Sequence, residues 1–308
     1  MTINTHLSSL PAPFLETGIG GSTHEYLWHW QGYSYQIIWE TLGQGDPVLL
    51  LPAFSTVSTR SELRGIAQEL STQYQVLVLD WLGFGESERP ALDYQPMIYL
   101  QLLRDFVRSQ FSHPIPVIAA GHAAGYVMQL ANESPQVWSQ IVLVAPTWRG
   151  PLPTAMGEHR AQYGILRNLV RTPILGQFLY SLTTTPSFLG MMYRRHVYIQ
   201  PERVTPELVE WKRQTTQQKG ARFAASAFVT GNLDVVRCRE DFLKLFQSSS
   251  VPVAIAIGEQ TPPKSKAEME AIAGIQVFRM QGSLGMHEEC SDTVSKAALS
   301  FLDRFPYN

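Results

Sequence analysis

The sequence has only two cysteines, Cys238 and Cys290. That is too few for a disulfide framework or a cysteine-built structural zinc site. Charge is sparse: Asp, Glu, Lys and Arg make up 16% of the 308 residues. The signs nearly cancel, 24 basic against 26 acidic side chains, for a net of −2. So balanced a chain carries no overall electrostatic footprint for nucleic acid. No run of 18 apolar residues occurs, so the sequence predicts no membrane span. The first Lys or Arg is Arg60, which leaves a secretory or transit signal without its basic residues. A cytoplasmic location is the default expectation. No metal-ligand spacing, phosphate loop or dinucleotide fingerprint appears, so no metal or cofactor is expected. Gly83-Phe84-Gly85 lacks the third glycine of the last.

What is present is apolar sequence, 44% of the chain, in short solid runs. Val48–Pro52, Gln75–Asp80, Pro116–Gly121, Gln140–Ala145, Val251–Gly258 and Ile275–Met280 read as strands buried on both faces of a parallel sheet. Helical patterns alternate with them at Glu62–Ser71, Pro96–Phe111, Gly125–Asn132 and Asp292–Phe305. Tyr26–Thr41, rich in aromatic and β-branched residues, reads as a hairpin or meander. The alternation predicts an α/β protein with an open, doubly wound and mostly parallel sheet. Residues 1–25 read as an N-terminal arm. Residues 26–145 and 237–308 form the predicted core. Residues 146–236 break the rhythm with aromatic and Met-rich helical sequence, which predicts a helical cap inserted over the sheet's carboxyl edge. That segment holds eleven Lys and Arg against five acids, a net of +6, which leaves −8 for the rest.

Gly121-His122-Ala123-Ala124-Gly125 ends a predicted strand and opens a helix. This is the setting of the nucleophile elbow G-x-S-x-G, whose glycines permit a tight strand-to-helix turn. Asp80-Trp-Leu-Gly83-Phe-Gly85-Glu-Ser87 is similar to the D-x-x-G-x-G-x-S turn that precedes it in α/β-hydrolases, and Asp80, ending a strand, reads as a brace for the Gly83–Gly85 turn. Leu51-Pro52-Ala53-Phe54-Ser55 stands where those proteins carry their oxyanion loop. From about Tyr33 to Phe305 the chain resembles capped α/β-hydrolases. The resemblance implies the α/β-hydrolase fold, a Ser-His-Asp triad, and oxyanion donors on the backbone of Phe54 and Ala124.

The triad side chains are missing. Ala123 occupies the serine's place in the motif, and a methyl group is no nucleophile. Thr261 occupies the acid's place in Gly258-Glu259-Gln260-Thr261. Matching His287-Glu288-Glu289 to the family's H-E-E puts Leu284 at the base position; a longer loop would make His287 the base. An engineered knockout would change one residue, whereas three departures point to natural loss. Backbone donors survive such a loss. The expected function is therefore binding of a small apolar, carboxyl- or ester-bearing molecule under the cap. The alternative is an active hydrolase with an unusual constellation or a replaced serine. His122, Ser55 and Ser58 lie near the expected pocket and read first as structural or turn residues. A third reading is a weak contact of the basic cap with an anionic surface. Oligomeric state is not legible. Gly121 and Gly125 predict a strained backbone at Ala123.

Overall fold

The computed structural model describes residues 17–157, 160, 162–247 and 249–304. Its centre is one eight-stranded sheet in the order β1-β2-β4-β3-β5-β6-β7-β8. β1 (Ser22–Trp30) and β2 (Tyr33–Leu42) form an antiparallel hairpin, and β2 runs antiparallel to β4 (Tyr74–Leu79). β3 (Asp46–Leu51), β5 (Ile115–Ala120), β6 (Trp138–Val144), β7 (Val253–Gly258) and β8 (Gln276–Met280) continue in parallel with β4.

The sequence explains this order. β5 and β7 are buried at every position, as continuous apolar runs demand when helices cover both faces. β8, at the edge, alternates half-buried and exposed residues. The hairpin closes on Gln31 (φ 49°) and Gly32 (φ 83°), both left-handed, as a two-residue turn matched to strand twist requires. The helices fall between strands as expected: Arg64–Leu70, Pro96–Gln110, Ala123–Glu133 and Ser291–Leu302. Phe305 lies outside the described residues, as do residues 1–16 of the expected arm.

Two differences are informative. The described part of the arm is not loose: Ile19 is fully buried, and the N–H groups of Ile19 and Gly21 donate to Glu40 at 2.9 and 2.6 Å. The sheet begins at Ser22, inside that stretch. A buried carboxylate that needs donors has recruited the chain ahead of the first strand.

Between β6 and β7 the described elements are helical, from Pro151–Met156 to Arg239–Gln247. These helices meet the loops that follow several strands. A Cβ on Gly83, after β4, would stand 2.6 Å from Ala224. Ser283, after β8, donates to His196 O at 2.9 Å. Asn232 Nδ2 donates to Tyr94 O at 2.6 Å. The insertion thus touches the loops that follow β4 and β8 at the carboxyl end of the sheet. Among the described residues no helix is long and apolar enough to cross a membrane.

Candidate functional site

The turn after β5 is where a hydrolase of this architecture would hold its nucleophile, and here the structure corrects the sequence reading. Ala123 is not strained. It begins the helix Ala123–Glu133, and His122 before it is right-handed (φ −69°, ψ −19°). The left-handed residue is Gly121, φ 53°. Its N–H donates to Val144 O (2.9 Å) and its carbonyl accepts from Thr147 N–H (3.1 Å), so β6 clamps the turn. A Cβ at Gly121 would stand 3.0 Å from Ala53 Cβ, whereas one at Gly125 would meet only Val235 at 3.5 Å. Gly121 is therefore the glycine the turn requires. Its small flanking residues are Ala119 and Ala123, both fully buried. The spacing small-x-Gly-x-small at 119–123 carried this register, but two frames of small residues overlap in the sequence.

The donor set shifts in the same way. Ala124 N–H, expected to point at a ligand, instead donates to Gly121 O at 3.3 Å within the first helical turn. Among the described residues no protein acceptor meets the N–H of Phe54, His122 or Ala123. Phe54 itself is held in an aromatic cluster. Its ring stacks on Trp81 (4.9 Å, 22°) and meets Tyr99 edge-on at 4.8 Å. Burial pushes the Tyr99 and Tyr126 phenols well above their ordinary range, so neither exchanges a proton near neutral pH.

His122 is buried beside Phe54 and Phe228. Its Nε2 lies 3.1 Å from Leu233 O and 3.2 Å from Asp234 Oδ1. A carbonyl only accepts, so Nε2 carries the proton. Asp234 Oδ1 also accepts from Gly150 N–H (2.9 Å), and Tyr126 OH donates to Leu233 O (2.5 Å). The sequence reading missed Asp234 because 111 residues separate His122 from neighbouring Leu233. The pair links the elbow helix to the end of the insertion.

Thr261 follows β7 in a turn closed by its N–H to Gly258 O (3.1 Å); its buried hydroxyl has no partner among the described residues. Leu284 is half-buried and packs on the main core. Ser55 Oγ accepts from Val57 N–H at 3.1 Å, a local turn bond. Ser58 is buried, its hydroxyl also without a partner among the described residues.

His287 belongs to a different constellation. Its Nε2 is 3.5 Å from Glu62 Oε2. The other Glu62 oxygen is 3.6 Å from Lys212 Nζ, and Glu288 Oε1 is 2.7 Å from the same ammonium. Lys212 lies 4.8 Å from the Trp211 ring centre and 5.7 Å from that of Tyr193. All four charged or titratable side chains are buried. Burial alone would lower the Lys212 pKa, but the carboxylates of Glu288 and Glu62 outweigh it and hold it above its ordinary value. The cluster joins the inserted helix Pro206–Thr216 to the turn Arg60–Leu63 and the short helix Met286–Glu289.

A second buried network braces the loop after β4. Arg60 contacts Asp80, Glu40 Oε2 (2.8 Å) and Glu86 Oε2 (2.5 Å). Asp80 also accepts from the N–H of Arg60 (2.6 Å) and of Glu86 (2.9 Å). Burial pushes the Asp80 carboxyl up against these partners. Asp80 thus braces its turn, as the sequence suggests. A Cβ on Gly85 (φ 53°) would fall 2.0 Å from Asp80 Cγ. Gly85→Ala should therefore cost more than the ~1–3 kcal/mol of a strained left-handed residue. Thermal unfolding checks this: a melting temperature equal to wild type would show that the carboxylate can move aside.

Sheet, crossing helices and strand-end turn together define an α/β-hydrolase architecture. The alpha/beta hydrolase family profile matches residues 48–289, and the chain belongs to that family. A bromoperoxidase of Bacillus anthracis superposes with a TM-score of 0.69 at 15% identity, covering 91% of this chain and 100% of that one. A haloalkane dehalogenase of Agrobacterium tumefaciens gives 0.68 at 15%, covering 96% and 100%. A serine hydrolase involved in carbazole degradation gives 0.68 at 14%, covering 92% and 100%. At such identities the likeness is one of fold. An uncharacterized protein of Mycobacterium tuberculosis is 26% identical over 113 residues, 37% of this chain. The chain spans about one third of the length of the curated relatives it matches. Among the described residues no group of three or more His, Cys, Asp or Glu could hold a metal ion.

Proposed function

We propose that this chain is a non-hydrolytic member of its family that binds a small apolar molecule bearing a carboxyl or ester group beneath the inserted helices, which act as a cap. The observation that carries the reading is Gly121 in the left-handed position of the turn after β5. A glycine there offers no hydroxyl, and acyl transfer by this architecture needs one. Thr261 and Leu284 supply neither acid nor base in the loops after β7 and β8. The backbone N–H groups of Phe54, His122 and Ala123 remain for a ligand oxygen, at a helix N-terminus that favours negative charge. Ala53, Ser55, Thr147 and Leu284 keep partial exposure while Gly121, Ala123 and Ala124 are sealed, so the ligand would rest against the former four.

The test has two halves. Wild-type protein should neither hydrolyse p-nitrophenyl butyrate nor be labelled by a fluorophosphonate. Labelling of Ser55, Ser58 or Thr147 would overturn the reading in favour of a hydrolase with an unusual constellation. Decanoate should raise the melting temperature, and Ala53→Trp, which would crowd the proposed site, should abolish the rise. No response of wild type to decanoate or its methyl ester would remove the binding half.

A further inference from the structure

Two helices of the insertion leave an apolar face that has no partner among the described residues. Gln162–Arg171 and Ile174–Thr183 pack on each other and on Ala221–Val229. Away from that contact the first exposes Ile165, Leu166 and Leu169, the second Ile174, Phe178 and Leu182. At helical spacing each trio falls within about 100° of arc, one continuous stripe per helix. Ile174 is 87% exposed and Ile165 71%, so the stripes stand out as ridges rather than lining a groove. An apolar surface of this kind marks an interaction site.

Charge decides between two occupants. The segment 160–183 that carries the stripes holds Arg160, Arg167 and Arg171 and no Asp or Glu, whereas Lys212, part of the insertion's positive excess, is neutralised in the interior by Glu62 and Glu288. A second copy docked face to face would bring two basic segments together. An anionic lipid surface would attract that acid-free segment, which orients the ridges toward it. Arg222 flanks the second stripe, held by its hydrogen bond to Gln177 (3.2 Å). Arg167 and Arg171 turn instead to Asp93.

We infer that the helix pair Gln162–Thr183 is a membrane-docking element that inserts its aliphatic and aromatic ridges into the interface of an anionic bilayer. Docking is interfacial: each stripe is one face of a ten-residue helix, too short to span.

Flotation with phosphatidylcholine vesicles containing phosphatidylglycerol tests this. Wild type should float with them at low ionic strength and much less at roughly 1 M salt, where the Debye length falls to about 3 Å. Ile174→Asp/Phe178→Asp should weaken partitioning at least about tenfold, with an unchanged circular dichroism spectrum because both sites are exposed. Phe178→Trp provides an independent readout: relative to wild type, the emission added by its new indole should shift to the blue on adding vesicles. Absence of flotation together with no such shift in the Phe178→Trp variant overturns the inference. So does a wild-type dimer in size exclusion that Ile174→Asp/Phe178→Asp converts to monomer without vesicles present, since the ridges would then cover each other.

Discussion

Replacing Lys212 by Met should lower stability by about 3–5 kcal/mol, on the order of 10 °C in melting temperature. The ammonium is fully buried between Glu62 and Glu288, whose side chains are themselves almost sealed. Methionine keeps most of the volume and leaves two carboxylates in the interior without their counter-ion. That penalty exceeds the loss of the pair itself, because uncompensated buried charge is the costly state. Lys212→Met/Glu62→Gln/Glu288→Gln removes the charges together and should recover most of the loss. The pH dependence has a definite sign. A lysine held above its ordinary value contributes stability that is complete below 10.5 and fades only as pH rises past it. The lysine's own contribution should therefore be flat across neutral pH, and the gap between wild type and Lys212→Met should narrow toward acid as protonation relieves the stranded carboxylates. A Lys212→Met protein that melts within about 2 °C of wild type would show that water reaches the carboxylates.

The second large effect concerns where a serine would have to go. Ala123→Ser places its hydroxyl in a sealed first helical turn, and it should produce no turnover of p-nitrophenyl butyrate. Gly121→Ser puts the hydroxyl on the left-handed residue of the turn. Combined with Thr261→Asp and Leu284→His it should exceed the matching combination built on Ala123→Ser by at least about a hundredfold, the scale of one positioned base. Equal rates from the two would return the nucleophile position to residue 123. His287→Ala should not affect either combination, since His287 sits against Glu62 in the ionic cluster.

The sequence made the sheet legible because burial on both faces leaves a direct trace: β5 and β7 are unbroken apolar runs. The hairpin's aromatic and β-branched content was readable for the same reason. Register within the elbow was not. Ala119, Ala120, Gly121, Ala123, Ala124 and Gly125 are all small, so the sequence permits two frames, and only the backbone dihedral at Gly121 chooses between them. Asp80 was read correctly, because a strand-end acid before two glycines has local partners. Lys212, Glu62, Glu288 and Asp234 went unseen. Each looks like a surface charge until the insertion folds back and desolvates it against a residue far away in the chain. The N-terminal arm was misjudged by a related effect: Glu40 needs donors, and no local pattern in residues 17–21 advertises that they supply them.

Gly121 has a consequence for the history open to this chain. Ala53 Cβ stands 3.0 Å from where a Cβ on Gly121 would lie. Gly121→Ser would therefore meet both an unfavourable backbone region and a neighbour that must give way. Gly121→Ser alone would press on Ala53, and no gain in activity would reward it while Thr261 and Leu284 stand. On the proposed non-hydrolytic reading, loss of catalysis would behave as a ratchet, with each further packing adjustment around the turn making return less accessible than departure was.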